Sequence, residues 1–290
     1  MGFSSVVRPA AVADQAGAAV DKAAGAAHDA ATSRWFRRLV RLGFVGTGLL
    51  YLMVGLLAAM AAAGEGGEIT DPRGALAIVA SKPMGLVGVA IAALGFAGHA
   101  LWHLARAVLD LDREGTGAKA VAMRVGHGAL AVLLGSLTVG TVGLILGRND
   151  GSDEQALSAR LLALPAGPLL VGAVGAGIVA LGIGHLVWAA RGHFARKLDL
   201  SSCPRALASW IHRLGRFGFA ARGVVFLLVG GFVVRAAASE NPREVRGLDG
   251  ALRELAGQPW GTWLLGATAL GLAAFGAYTL ASARYRRLPR

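Results

Sequence analysis

Residues 41–63 read Arg-Leu-Gly-Phe-Val-Gly-Thr-Gly-Leu-Leu-Tyr-Leu-Met-Val-Gly-Leu-Leu-Ala-Ala-Met-Ala-Ala-Ala, and after Arg41 no charged side chain appears before Glu65. A hydrocarbon core about 30 Å thick is crossed by about 20 helical residues, so this stretch has the length and composition of a bilayer span. The chain then turns at Pro83-Met84-Gly85 and runs through a second apolar stretch over 84–105. Four more stretches of the same kind lie near 125–147, 168–190, 217–238 and 260–282. The expected fold is all-α, an integral membrane bundle of six transmembrane helices.

The first stretch and its turn recur. Arg41-x-Gly43, Arg124-x-Gly126 and Arg216-x-Gly218 are followed 42, 41 and 43 residues later by Pro83-Met84-Gly85, Pro165-Ala166-Gly167 and Pro259-Trp260-Gly261. Copies one and three also share Arg-x-Gly-Phe and a Gly-Ala-Leu placed before the turn, at Gly74–Leu76 and Gly250–Leu252. So many fixed offsets mark an internal repeat. The units expected are an Ala-rich cytoplasmic arm over 1–33, mobile or loosely helical, and two-helix repeats over 34–115, 120–200 and 210–288. Each repeat starts and ends on one side of the membrane, which makes the copies parallel and gives the bundle pseudo-threefold symmetry. Proline at the start of each second helix loses no hydrogen bond there. Leu252, Leu255 and Ala256 at helical spacing predict a short interfacial helix on the outer surface, with Leu157, Leu161 and Leu162 in the same place in copy two. Glycines such as Gly48, Gly55, Gly175 and Gly276, and the pair Gly143-xxx-Gly147, are expected at close helix contacts.

Only 16% of the 290 residues are charged, against about 25% in soluble domains. The formal charge of +12 sits beside helix ends rather than in a free-standing patch, which argues against nucleic acid as a partner. The N-terminal arm and the segments after helices two, four and six hold 20 of the 29 Lys and Arg, and the three alternate loops hold 8. The positive-inside rule then puts both termini in the cytoplasm. Residues 1–33 lack the features of a cleaved secretory signal, so helix one is expected to act as an uncleaved anchor. Cys203 is the only cysteine, which precludes an intrachain disulfide. Trp35, Trp102, Trp188, Trp210, Trp260 and Trp263 fall near helix ends and read as interfacial anchors.

The Arg-x-Gly-Phe opening, the glycine-rich first helix with Tyr51 or Phe226, the Gly-Ala-Leu-x6-Pro-x-Gly segment and the glycine-rich second helix resemble a bacterial membrane family, domain of unknown function 1206. The resemblance covers about residues 34–288 and implies three tandem two-helix units in a bacterial inner membrane, without an established activity. Copy two departs from it: His127 stands where the others have Phe44 and Phe219, and Ala131 where they have Gly48 and Gly223.

Ionisable groups inside a membrane are costly and mark candidate sites. His99, His127, His185 and Arg222 are the candidate intramembrane polar site, with His103 beside His99 at i, i+4. Asp110 and Asp112 follow helix two and read as solvated. The six spans hold no Asp or Glu, which disfavours a proton- or sodium-coupled pump. His99 and His185 share the context Gly-His-x-x-Trp. Packing to a neighbouring carbonyl is the plain expectation for such histidines, and haem or metal ligation the alternative. The stem of Arg222 is expected to carry its charge back to the cytoplasmic headgroups, with an anion or lipid-headgroup site as the alternative. No phosphate loop, dinucleotide motif, nucleophile elbow or carboxylate pair is present, so no catalysis, cofactor or metal is expected. The resulting reading is a structural or accessory protein that binds membrane lipids, a membrane-protein partner or a second copy. A transporter or channel with an inward-facing polar layer is the second reading, and a haem- or metal-binding electron-transfer protein the third.

Overall fold

A computed structural model describes residues 33–109, 117–148, 154–201 and 203–287. The 1–32 part of the expected arm, Asp110, Asp112 and the side chain of Leu157 lie outside the described residues. Six helices are long and apolar enough to cross a membrane: α1 (Arg34–Ala63), α3 (Gly85–Leu109), α4 (Ala118–Ile145), α6 (Gly167–Arg191), α7 (Arg205–Ala238) and α9 (Gly261–Tyr285). A nine-residue helix precedes the second span of each copy: α2 (Pro72–Ala80), α5 (Glu154–Leu162) and α8 (Leu248–Ala256). Among the described residues the extended backbone pairs only at an isolated bridge between Leu198 and Arg286.

The short helices form where expected, but two of them are docked on the bundle rather than laid on its surface. Ala251 and Leu252 of α8 are fully buried against Ala58, Val225, Leu265, Ala269 and Leu272, and Ala75 and Leu76 of α2 are buried with Leu50, Val54 and Val89. In a bundle, a leucine gains more from neighbours on all sides than from one face in lipid.

The expectation for the repeated proline is also corrected. Pro83, Pro165 and Pro259 lie two residues before the second spans and form the second position of a β-turn. The N–H groups of Gly85, Gly167 and Gly261 donate to the carbonyls of Lys82, Leu164 and Gln258 at 2.8, 2.8 and 2.7 Å. Met84 and Trp260 take the positive φ of a type II turn, at 63° and 66°. Ala166 in copy two has φ of −115°, so that turn is of another type. Glycine follows in all three copies for one reason: a Cβ on Gly85, Gly167 or Gly261 would run into the carbonyl of Val79, Leu161 or Ala256 at the end of the short helix.

The second span of each copy packs on the first span of the next: α3 on α4, α6 on α7, and α9 back on α1. Within a copy the two spans also pack in copy one (α1 with α3) and copy three (α7 with α9), but α4 and α6 of copy two do not. The six spans are therefore a ring with one open joint. Burial agrees: 11% and 17% of the most apolar stretch of α4 and α6 is buried, against 39% to 61% in the other spans.

The Arg-x-Gly glycines record the same difference. A Cβ on Gly43 would meet the Gly95 carbonyl of α3 at 2.7 Å, and one on Gly218 the Phe275 Cα of α9 at 2.5 Å, whereas one on Gly126 meets nothing. Gly143-xxx-Gly147 is no packing pair; Gly147, at φ 69°, terminates α4. Trp35, Trp210, Trp260 and Trp263 are exposed, as anchors should be, but Trp102 is buried with Phe36, Val40 and Phe44.

Two of the three signature arginines clamp successive copies. Arg124 at the start of α4 donates to the last carbonyls of α3, Ala107 at 2.7 Å and Val108 at 3.1 Å, and Arg216 donates to Ala189 near the end of α6 at 3.2 Å. A cation at a helix C-terminus satisfies orphan carbonyls and complements the dipole.

Candidate functional site

Arg222 and Thr47 occupy one register of the repeat, six residues beyond Arg216 and Arg41, and each organises part of a polar layer. Thr47 of α1 shares a hydrogen bond of 3.2 Å with Nδ1 of His99 on α3. His99 stacks on His103 with ring centroids 5.0 Å apart, one helical turn along the same face. Nδ1 of His103 lies 3.2 Å from Nδ1 of His127 on α4. The result is a row of three imidazoles across the α3–α4 seam, one ring nitrogen of the last pair supplying the proton and the other the lone pair. Stacked rings do not converge on a point, and among the described residues no three His, Cys, Asp or Glu gather around a common centre.

Across the bundle, Nδ1 of His185 on α6 lies 2.8 Å from the Leu181 carbonyl, so Nδ1 carries the hydrogen and donates. Its ring stacks on Phe219 at 5.4 Å and meets Phe226 edge-on at 5.2 Å, both on α7.

Arg222 of α7 is half-buried among rings of α1, α7 and α9. Its guanidinium carbon is 4.8 Å from the ring centroid of Phe226 on its own helix, 4.7 Å from Phe275 on α9 and 5.2 Å from Tyr51 on α1. Phe226 lies one turn beyond Arg222 on α7, whereas the Phe275 backbone is level with Gly218, one turn before it. Three ring faces thus offer the cation an electrostatic partner inside the protein. These faces supply no hydrogen-bond acceptor: Nε of Arg222 is buried without a partner, and the guanidinium makes no ion pair among the described residues.

Of the four candidates, His185 and Arg222 share the ring of Phe226, whereas His99 packs on Phe44 and Thr47 of α1. His127 belongs to the imidazole row and is joined to His99 through His103. Sequence reasoning left His103 outside the candidate set and missed the cage. Its signal was present: Tyr51 and Phe226 both lie ten residues beyond the signature arginine. Phe275, on a second span, could be joined to them only by the packing of α9.

The fold and its polar layer define a class, helical proteins with six spans of membrane-crossing length built from tandem two-helix units. The chain belongs to the family described as Domain of Unknown Function 1206, whose model matches residues 42–110, 125–192 and 217–286, one match per copy. It is similar to the uncharacterized protein YxxB of Bacillus subtilis (strain 168), 32% identical over 258 residues that cover 89% of this chain and 94% of the relative. No solved structure matches it.

Proposed function

We propose that the protein is a structural or accessory component of the bacterial inner membrane that holds a lipid of the surrounding bilayer at the open joint between α4 and α6, and that it catalyses no reaction. One observation carries this reading. Five joints of the six-span ring are packed, and the sixth is not. In a bilayer such a joint is filled by acyl chains, since hydrocarbon is the only solvent there that matches its walls.

Both termini lie in the cytoplasm in this reading, supported by the 20 to 8 bias of Lys and Arg. A pseudo-threefold axis along the membrane normal is supported by the cyclic packing of each copy on the next. The test is purification in mild detergent followed by native mass spectrometry, which should find at least one lipid retained per chain. A chain that emerges bare refutes the reading.

A membrane-protein partner, or a second copy, is the second reading, favoured by one face of α4. Val121, Val125, Val132 and Val139 are exposed there, interleaved at heptad spacing with Gly128 and Gly135, where an added Cβ would meet nothing. Cross-linking in native membranes with a photoreactive group at Val132 distinguishes the two, since a protein adduct favours the partner and lipid adducts alone favour the first reading.

A further inference from the structure

We infer that Arg222 receives the phosphate of an anionic phospholipid that reaches it sideways through the α4–α6 joint. The inference rests on the lipid-holding reading above and adds the headgroup chemistry and the residue that selects it.

A guanidinium inside a span is expensive unless something takes up its charge and its five N–H donors. The rings of Tyr51, Phe226 and Phe275 take up part of the charge, because their faces are negative. They accept no directed hydrogen bond, and no acidic residue occurs in any of the six spans to supply one. Arg222 is thus a cation held in place and left with unused donors, of which Nε is buried. The cage fixes its planar fork while leaving the side chain partly exposed. Tyr51, one wall of the cage, carries a hydroxyl that makes no hydrogen bond among the described residues and is a second donor.

The complement of a rigid fork is a group with two anionic oxygens in one plane. The non-bridging oxygens of a phosphodiester are such a pair, and the bidentate contact is the geometry that arginine favours over lysine. The source follows from the position. Arg222 lies six residues, about 9 Å of helix, inward of Arg216, which binds the end of α6. Around Arg222 stand α1, α7 and α9, and the neighbouring spans of the ring that do not pack on each other are α4 and α6. An anion with acyl chains can enter by that route at no cost in hydrocarbon exposure, whereas a free aqueous anion cannot.

The experiment places the full chain, delipidated in detergent, in nanodiscs of phosphatidylcholine containing a minor fraction of phosphatidylglycerol. The ratio of the two lipids bound is read by native mass spectrometry, normalised to the disc. Both lipids offer the phosphodiester to the fork, but phosphatidylcholine also brings a choline cation that the guanidinium repels, so the wild type should prefer phosphatidylglycerol by about tenfold. Arg222→Gln should reduce the ratio to the composition of the disc. Arg222→Lys, which keeps the charge and loses the fork, should retain part of the preference, and carries the test if the glutamine variant does not give a monodisperse protein. Excess inorganic phosphate should displace nothing. A wild type that retains lipid without preference, a glutamine variant that keeps the preference, or displacement by inorganic phosphate overturns this inference while leaving lipid retention standing. Retention of no lipid at all sinks the functional reading itself.

Discussion

Replacing Gly218 by alanine and, separately, Gly126 by alanine makes one chemical change at one position of the repeat, yet the two substitutions should act with opposite sign. An alanine Cβ at 218 would stand 2.5 Å from the Phe275 Cα and 2.6 Å from its backbone nitrogen. Ordinary contact needs roughly 1 Å more, and neither atom is a flexible side-chain end, so α7 and α9 must move apart. That opens the packing of Phe275 on Phe219, whose ring centroids are 5.3 Å apart, and of Tyr278 on Phe219. Overpacking of this kind costs about 1–3 kcal/mol, of which the better helix propensity of alanine returns about 1 kcal/mol at most. At Gly126 the added methyl meets nothing, so only the propensity gain remains. Gly218→Ala should therefore lower stability by up to about 2 kcal/mol, while Gly126→Ala leaves it unchanged or raised by up to about 1 kcal/mol. Unfolding of the detergent-solubilised variants by increasing dodecyl sulfate, followed by circular dichroism, measures the difference. If Gly126→Ala costs as much as Gly218→Ala, α4 and α6 pack like the other hairpins and the open joint does not exist.

Arg124→Leu should cost about 1–2 kcal/mol and Arg216→Leu about 1 kcal/mol in the same assay, since each removes a charge-assisted cap from the preceding copy's last turn. Leu252→Ala should cost about 2–4 kcal/mol, because its side chain is fully enclosed by three spans. A loss below about 0.5 kcal/mol would return α8 to the surface. Green fluorescent protein fused to either terminus should fluoresce and alkaline phosphatase inserted near Gly66 should be active; opposite outcomes at the two ends would break the parallel arrangement of the copies.

Whether copy two is a weakened copy or a deliberate gap is answered by particular residues. His127, in place of the phenylalanine of copies one and three, pairs with His103 on α3. The signature glycine survives at 126 without the helix contact it serves elsewhere. A motif can thus outlast its packing role, which is why inspection of Arg-x-Gly alone treats the three hairpins as equal.

Number, length and order of the spans could be read from residue order alone, because a lipid solvent turns each helix into a local tally of about twenty apolar residues and each turn into a proline and a glycine at fixed offset. The cost of a charge in hydrocarbon likewise made Arg222 and the histidines stand out without coordinates. Which helices touch was decided only in three dimensions. In lipid no apolar face is driven toward another by water, so a helix whose sides are equally greasy carries no label for its neighbour, and close steric fit selects the pairs. That fit drew Phe275 to Arg222, buried Leu252 and Trp102, and left α4 and α6 apart.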